Sequence, residues 1–487
     1  MASEQIRMPS KSGRFRRAKV LSVGVLLLGG CTVGPKYVQP TTDVPAGYKE
    51  SGNWKAAQPS DTIAKGKWWE IYGDAQLNAL EEQVTVSNQT LKEAQAQFLE
   101  ARAAIRTVRS GYFPTVSGAA SAAGNRQSQN QALYKTGSPI TYPNYEFPPI
   151  DASWEPDVWG RVRRQVEAAR SEAQATAADL ANVDLSLHAE LAFDYFQLRG
   201  LDSQKQLLDS TVESYEQALQ LTDSRYKGGV ASAVDVAQAQ TQLETTRAQD
   251  EDVSVDRAAF EHAIAVLIGK PPYQFSQPAT PLTVPPPPIP PGLPSELIER
   301  RPDIAAAERR VQEANAQIGV ARAAYFPVFS LTGGGGFESS TIANLLSGPS
   351  GFWSLAGSAA ELIFDGGQRR GITEQARASY DKSVDTYRQT TLTAFQEVED
   401  NLAALRILEE EAKTQAAAVA AAEHSLALSN SRYKGGVANY LEVTTAQSAA
   451  LGDERAAVDV LTRRMAASVQ LVKALGGGWS TSQIPTL

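Results

Sequence analysis

The stretch Ser224-Arg225-Tyr226-Lys227-Gly228-Gly229-Val230-Ala231 returns as Ser431-Arg432-Tyr433-Lys434-Gly435-Gly436-Val437-Ala438, a fixed offset downstream (431 − 224 = 207). Leading into the first copy, Val212, Tyr215, Leu219, Thr222 and Tyr226 step alternately by three and four residues, the spacing of a heptad seam. The same offset lands on Val419, Ala422, Leu426, Ser429 and Tyr433 in the same phase. Outward from this motif the landmarks also repeat in order: Tyr112-Phe113-Pro114 as Tyr325-Phe326-Pro327, and Asp157-Val158-Trp159-Gly160 as Asp365-Gly366-Gly367. The chain is a tandem duplication, and each half reads as a helix, two strands and two helices.

The helices are unusually long. From Gly160 to about Tyr226 no proline interrupts an Ala/Gln/Glu/Leu-rich pattern, which predicts ~67 residues and ~100 Å of helix. Lys227-Gly228-Gly229 ends it, and Ser232 to Ile268 starts a second helix of ~37 residues. The other half repeats this from Gly367 to Tyr433 and from Asn439 to Leu475. In the first half a single helix is expected from Asp74 to Ser110, stopped by Tyr112-Phe113-Pro114. Heptad spacing over such lengths points to coiled-coil packing along a tube or rod, in a mixed, mainly α fold.

Between the helices the period changes to two. Ile150, Ala152, Trp154, Pro156 and Val158 alternate with Asp151, Ser153, Glu155 and Asp157, an apolar face backed by a polar one. Phe113 to Gly124, Phe326 to Gly336 and Phe352 to Phe364 are further strand candidates, each of about the length a tilted membrane strand needs. Four strands cannot close a membrane barrel, and open edges are forbidden in lipid because unpaired backbone groups find no water there. If these strands span a bilayer, several copies share one barrel. Three copies would supply twelve staves.

The balance of the chain narrows the function. It has 487 residues and a net charge of −8, and an acidic chain lacks the basic face that nucleic acid requires. No long apolar run follows residue 30, which excludes a helical inner-membrane transporter but not a barrel. Arg14, Arg16, Arg17 and Lys19 precede a short apolar run ending Leu28-Gly29-Gly30-Cys31. This has the order of a secretory signal and resembles a bacterial lipobox, which makes Cys31, the only cysteine, the expected acylated first residue of the mature chain. Thr32 at the next position suggests delivery to the outer membrane. The expected units are a signal peptide (1–30), a lipidated equatorial segment (31–73), the first repeat (74–270), a Pro-rich connector (271–294), the second repeat (295–475) and a tail (476–487).

The sequence resembles the outer-membrane factor family, the TolC-like efflux lipoproteins of the NodT type. The likeness rests on Cys31-Thr32-Val33-Gly34-Pro35, Trp68-Trp69, Glu299-Arg300-Arg301-Pro302-Asp303-Ile304-Ala305-Ala306-Ala307-Glu308, Ala314 to Ala321, the two Arg-Tyr-Lys-Gly-Gly-Val motifs and Lys473 to Trp479. The resemblance implies a homotrimer with a twelve-stranded barrel, an α-helical periplasmic tunnel and an equatorial collar. It also implies docking to a periplasmic adaptor and an inner-membrane RND-type pump, with acyl chains in the outer membrane. In that family the glycine turns meet the adaptor. Here they are Gly228-Gly229-Val230-Ala231 and Gly435-Gly436-Val437-Ala438, whose glycines also simply permit a chain reversal. The family's gate pattern falls on Leu441-Glu442-Val443-Thr444-Thr445-Ala446, with Thr445 replacing its second acid.

Glu442 therefore has two readings, an acidic constriction and the far member of a capping box with Asn439. Asp235, the acid at the equivalent place in the first half, is a further gate candidate whose spacing from Ser232 favours a cap. No metal site, cofactor or enzymatic motif is expected. His188, His262 and His424 stand apart in sequence, and Gly333-Gly334-Gly335-Gly336 reads as a strand end or extracellular loop. Arg161, Arg163 and Arg164, echoed by Arg369 and Arg370, read as a solvated charged face or as contacts to lipid phosphates. Besides an efflux duct for small molecules, a non-conducting lipid-anchored scaffold and the exit duct of a type I protein secretion system remain open.

Overall fold

The computed structural model describes residues 32–51, 66–130, 132, 135–137, 139–290 and 294–487. The signal segment and Cys31 lie outside the described residues. The first repeat contains α1 (Ala75–Ser87), α2 (Gln89–Arg109), β1 (Thr115–Gly118), β2 (Ser121–Arg126), β3 (Thr141–Trp154), α3 (Arg161–Lys227) and α4 (Ala233–Leu267). The second contains α5 (Pro294–Arg300), α6 (Pro302–Ala323), β4 (Val328–Ser339), β5 (Gly351–Ala360), α7 (Gln368–Lys434) and α8 (Tyr440–Ala474).

The two long helices, α3 and α7, are each 67 residues, and α4 and α8 are each 35. The duplication is therefore exact in length along both hairpins. Gly160 and Gly367 open the long helices with φ of 81° and 94°, the left-handed region where glycine has no Cβ penalty.

The expected helix from Asp74 to Ser110 is two helices. Asn88 stands between them in an extended conformation. Its Oδ1 accepts from Leu91 N at 2.9 Å and its Nδ2 donates to Leu267 O at 2.8 Å. A buried Asn that caps one helix and ties down the end of another is better satisfied outside the helix than within it.

All strands form one antiparallel sheet in the order β1-β3-β4-β5, with β2 continuing beside β3 where β1 stops. The sheet is thus four staves wide, as expected. The second stave is misplaced in sequence. It starts at Thr141 and ends at Trp154, and Asp157 turns into the next helix, its carboxylate accepting from Val162 N and Arg163 N at 2.9 Å each. Pro156 and Val158 follow the alternation but belong to that turn. Gly333 to Gly336 lie inside β4, not at its end. A Cβ on Gly336 would stand 2.7 Å from Pro148 O, and one on Gly333 would stand 3.0 Å from a Leu355 methyl.

Below the sheet, helices continue the same order. Next to it α2, α3, α6 and α7 pack side by side; further down, α4, α3, α8 and α7 do. The largest core lies where these layers meet at mid-height, around Trp68, Trp69, Leu77, Leu191, Tyr195, Leu198, Ile264, Tyr387, Val398, Val469 and Leu471.

Candidate functional site, a two-faced wall with two hairpin tips

Directly paired residues of an antiparallel sheet share a face, and neighbours along a strand alternate. The row Val116–Ala152–Gly333–Leu355 and the row Gly118–Ile150–Gly335–Trp353 form one face. Trp353 and Leu355 stand 77% and 79% exposed there. The rows Thr115–Ser153–Thr332–Ala356 and Ser117–Asp151–Gly334–Ser354 form the other, where Ser330 and Ser358 hydroxyls pair at 2.7 Å. One side of the wall is apolar and the other polar.

Exposed apolar side chains also mark the wall's two edges. The edge helices carry Leu99 (α2), Val234, Val255 and Val266 (α4) on one side and Ile372, Leu392, Ile407 and Leu428 (α7) on the other. Among the described residues the inner helices expose none on α6, and only Leu221 and Tyr226 on α3 and Leu441 on α8, all three near the tips. Scattered surface leucines need no explanation, but away from the tips their concentration on the helices of both open edges marks surfaces awaiting a neighbour.

At the tips, both glycine turns close as Schellman motifs. Val230 N donates to Arg225 O at 2.8 Å and Gly229 N to Tyr226 O at 2.9 Å; Val437 N donates to Arg432 O and Gly436 N to Tyr433 O, each at 3.0 Å. Gly229 and Gly436 have φ of 78° and 75°, so the turn requires glycine there. Gly228 and Gly435 are right-handed, with φ of −81° and −73°, and no backbone reason selects glycine at either. Val230 and Val437 project, 69% and 71% exposed, and Ala231 and Ala438 are half-buried.

Identical tip sequences meet different surroundings. Tyr433 is buried edge-on against Tyr440 at 5.2 Å, with the Arg225 guanidinium 4.7 Å above its ring. Tyr226, its counterpart, is 47% exposed. The reason is the layer order, which puts α8 between α7 and α3 and leaves α4 outside. Asp235 and Ser232 complete a capping box, Asp235 N to Ser232 Oγ at 3.2 Å and Ser232 N to Asp235 Oδ2 at 2.8 Å. Asn439 caps α8 through Glu442 N at 3.3 Å, but the Glu442 carboxylate turns instead toward Arg432, 3.6 Å away. Leu441, Glu442 and Thr445 share an exposed face of α8, while Val443 and Ala446 are buried on the other. The Thr445 hydroxyl donates to Leu441 O at 2.8 Å.

The arginines at the sheet–helix junction all have carboxylate partners, and Arg370, its side chain 82% exposed, keeps a solvated position. Arg161 pairs with Glu155 at 2.8 Å and Arg163 with Asp157 at 3.2 Å. Arg369 pairs with Asp365 at 2.6 Å and Arg370 with Glu374 at 2.9 Å. Arg164 is buried, donating to Val33 O at 3.2 Å and Pro35 O at 3.0 Å and pairing with Glu167 at 2.8 Å. It clamps the N-terminal segment, whose Thr32 Cγ2 would be 3.0 Å from a Cβ on Gly160. From there the segment descends obliquely, its Tyr37 bonded to Glu308 on α6, its Gln39 near Tyr387 and its Glu50 N donating to Glu399 on α7 at 2.9 Å.

Two polar clusters escaped the sequence reading. Arg301, buried, joins Asp303, Glu397 on α7 (both 2.6 Å) and the Ala474 carbonyl at the end of α8 (3.1 Å), which explains the Arg-Arg-Pro-Asp block as a knot of three helices. His188 does not stand apart in space. Its Nδ1 is 2.6 Å from Glu81 Oε2, its Nε2 3.3 Å from the Thr85 hydroxyl and 3.5 Å from Asp184, and its ring stacks on Trp69 at 4.3 Å. The i−4 spacing of Asp184 was visible in the sequence. The pairing with Glu81, on another helix, was not.

A wall with one apolar and one polar face, prolonged by helices and open along both sides, defines a protein that lines a shared channel through a membrane. The chain matches the family described as outer membrane efflux protein over residues 80–270 and 293–477, and it belongs to that family. It is 34% identical over 456 residues to outer membrane protein OprJ of Pseudomonas aeruginosa, covering 93% of this chain and 94% of that one. To the probable efflux pump outer membrane protein TtgC of Pseudomonas putida it is 32% identical over 465 residues, covering 94% and 95%. The structure of the outer-membrane channel OprN superposes with a TM-score of 0.85 at 30% identity, over 92% of this chain and all (100%) of that one. The protein is an outer-membrane efflux channel.

Proposed function

We propose that three copies join edge to edge into a passive exit duct for small molecules, twelve staves in the outer membrane above a twelve-helix periplasmic tunnel. The observation that carries this is the shared order of elements in every layer. Because β1, α2 and α4 all lie on one edge and β5 and α7 on the other, a single rotation that closes the sheet also closes both helical layers. Sharing the barrel removes the open sheet edges that a lone protomer would leave in lipid. The polar face then lines the lumen and Trp353 and Leu355 face lipid.

In this reading Cys31 carries the acyl chains. Thr32, the next residue, packs at the base of the sheet, the height at which a lipid anchor would enter the membrane. The Gly228 to Ala231 and Gly435 to Ala438 tips meet a periplasmic adaptor, which links the duct to an inner-membrane RND-type pump. Gly228 and Gly435, glycines that the turn geometry does not demand, favour close approach by a partner backbone. Leu441, Glu442 and Thr445 line the closed end, with Glu442 held by Arg432, while Asp235 serves as a helix cap.

Planar-bilayer recording of the purified protein tests the duct and its closed end together. Stepwise conductance is expected, and Glu442→Ala is expected to raise basal current or reduce cation preference. A protein that inserts without conductance steps is a scaffold. Unchanged current and selectivity in the variant would assign Glu442 to the helix terminus alone.

A further inference from the structure

The polar face of the sheet carries an unbalanced charge. The row Ser117–Asp151–Gly334–Ser354 crosses all four staves, and Asp151 is its one ionisable residue. A Cβ on Gly334 would stand 2.8 Å from Asp151 Oδ1 and 3.3 Å from Ser354 Oγ. The glycine thus leaves the space into which the carboxylate leans, along the wall and beside a hydroxyl. Asp151 is exposed, and among the described residues no side-chain donor bonds its carboxylate. The adjoining row, Thr115–Ser153–Thr332–Ala356, is uncharged.

The other charges on this face are also acidic. Glu146 pairs with Glu338 across the sheet, and both are already solvated by protein groups, Glu146 by the Ser121 hydroxyl at 3.2 Å and Glu338 by Asn144 Nδ2 at 2.9 Å. The single basic residue of the strands, Arg126, pairs with Thr141 and falls on the opposite face by parity.

We propose that Asp151, present once per protomer, forms a ring that gives the membrane-level section of the duct its own preference for cationic solutes, separate from the tips. The inference rests on the trimeric closure proposed above. Twelve strands ~4.8 Å apart and tilted ~40° enclose a barrel of radius ~12 Å. The Debye length is ~10 Å at 0.1 M salt and ~3 Å at 1 M. The ring's field therefore reaches the solute path at low salt and is confined to the wall at high salt. A narrow constriction at the tips, with charges close to the axis, would keep its selectivity at both.

Charge-selective labelling reads this section alone, whether or not the tips are open. Ser354→Cys is made in the full chain, reconstituted in liposomes, and treated with trimethylammonium-ethyl or sulfonatoethyl methanethiosulfonate; the parent chain corrects for Cys31. In 0.1 M salt the cationic reagent is expected to gain about three- to fourfold over the anionic one, relative to their ratio on a free thiol, from the screened Coulomb energy of a unit charge ~6 Å away in water. Asp151→Asn, which preserves shape, should bring the ratio to within about a factor of two of that seen in 1 M salt. An equal ratio with and without the Asp151 charge would overturn the inference. Failure of the trimeric reading would look different: Ser354→Cys would resist both reagents, or Leu355→Cys, on the apolar face, would react as readily.

Discussion

His188 joins two stretches far apart in sequence: its own helix, where Asp184 lies one turn back, and the region of α1, with Trp69 just before it and Glu81 and Thr85 on it. Burial raises the Glu81 carboxyl to about 7. For His188, burial alone would lower the imidazole, and hydrogen bonds to Asp184 and Glu81 override it, raising it to about 9. Both shifts are upward, so the folded chain retains protons that the unfolded chain has released, and stability declines as pH rises. The histidine's contribution is full below pH 6.5 and gone above about 9. His188→Gln should therefore lower the thermal midpoint at pH 6 and converge with the parent by pH 9, a loss of roughly 1–3 kcal/mol at the acid end. Thermal melts of the purified protein across that range check it; parallel pH profiles would mean that the pair is not ionised as described.

Elements were legible where their signal is local. The 67-residue helices announced themselves through an uninterrupted apolar seam ending in Gly-Gly, one stave through alternation and the other three as runs of membrane-strand length that begin at Phe113, Phe326 and Phe352. What failed was set by partners remote in sequence. Asn88 breaks the first helix because Leu267 O, far along the chain, takes its amide. Pro156 and Val158 keep strand parity beyond the point where Asp157 caps the next helix. The four glycines of β4 read as a strand end or loop because the bulk that fills their space, Pro148, Pro149, Asp151 and Leu355, comes from β3 and β5. At the tips the repeat was plain, yet nothing in it distinguishes buried Tyr433 from exposed Tyr226. Asn88→Ala removes both the α2 cap and the amide that donates to Leu267 O. It should destabilise the mid-height core by about 1–2 kcal/mol, seen as faster amide exchange at the start of α2 and the end of α4 with the sheet unaffected.

At the scale of the molecule, the protomer is a strip of a cylinder, and its edges hold the assembly information. Leu392, 57% exposed on α7, lies on an edge that the proposed ring covers, away from the protomer's core. Leu392→Arg should leave the helical content unchanged while shifting the purified species from trimer toward monomer, measured by light scattering in detergent. A variant that remains fully trimeric would place the contact elsewhere. The equal lengths of the two hairpins carry a further consequence. Since α3 matches α7 and α4 matches α8 residue for residue, all six hairpin ends of a three-fold assembly terminate flush, at one depth. Four residues inserted into either long helix would drop three of those ends by about 6 Å, turning a level mouth into a castellated one that a flat gasket could no longer seal.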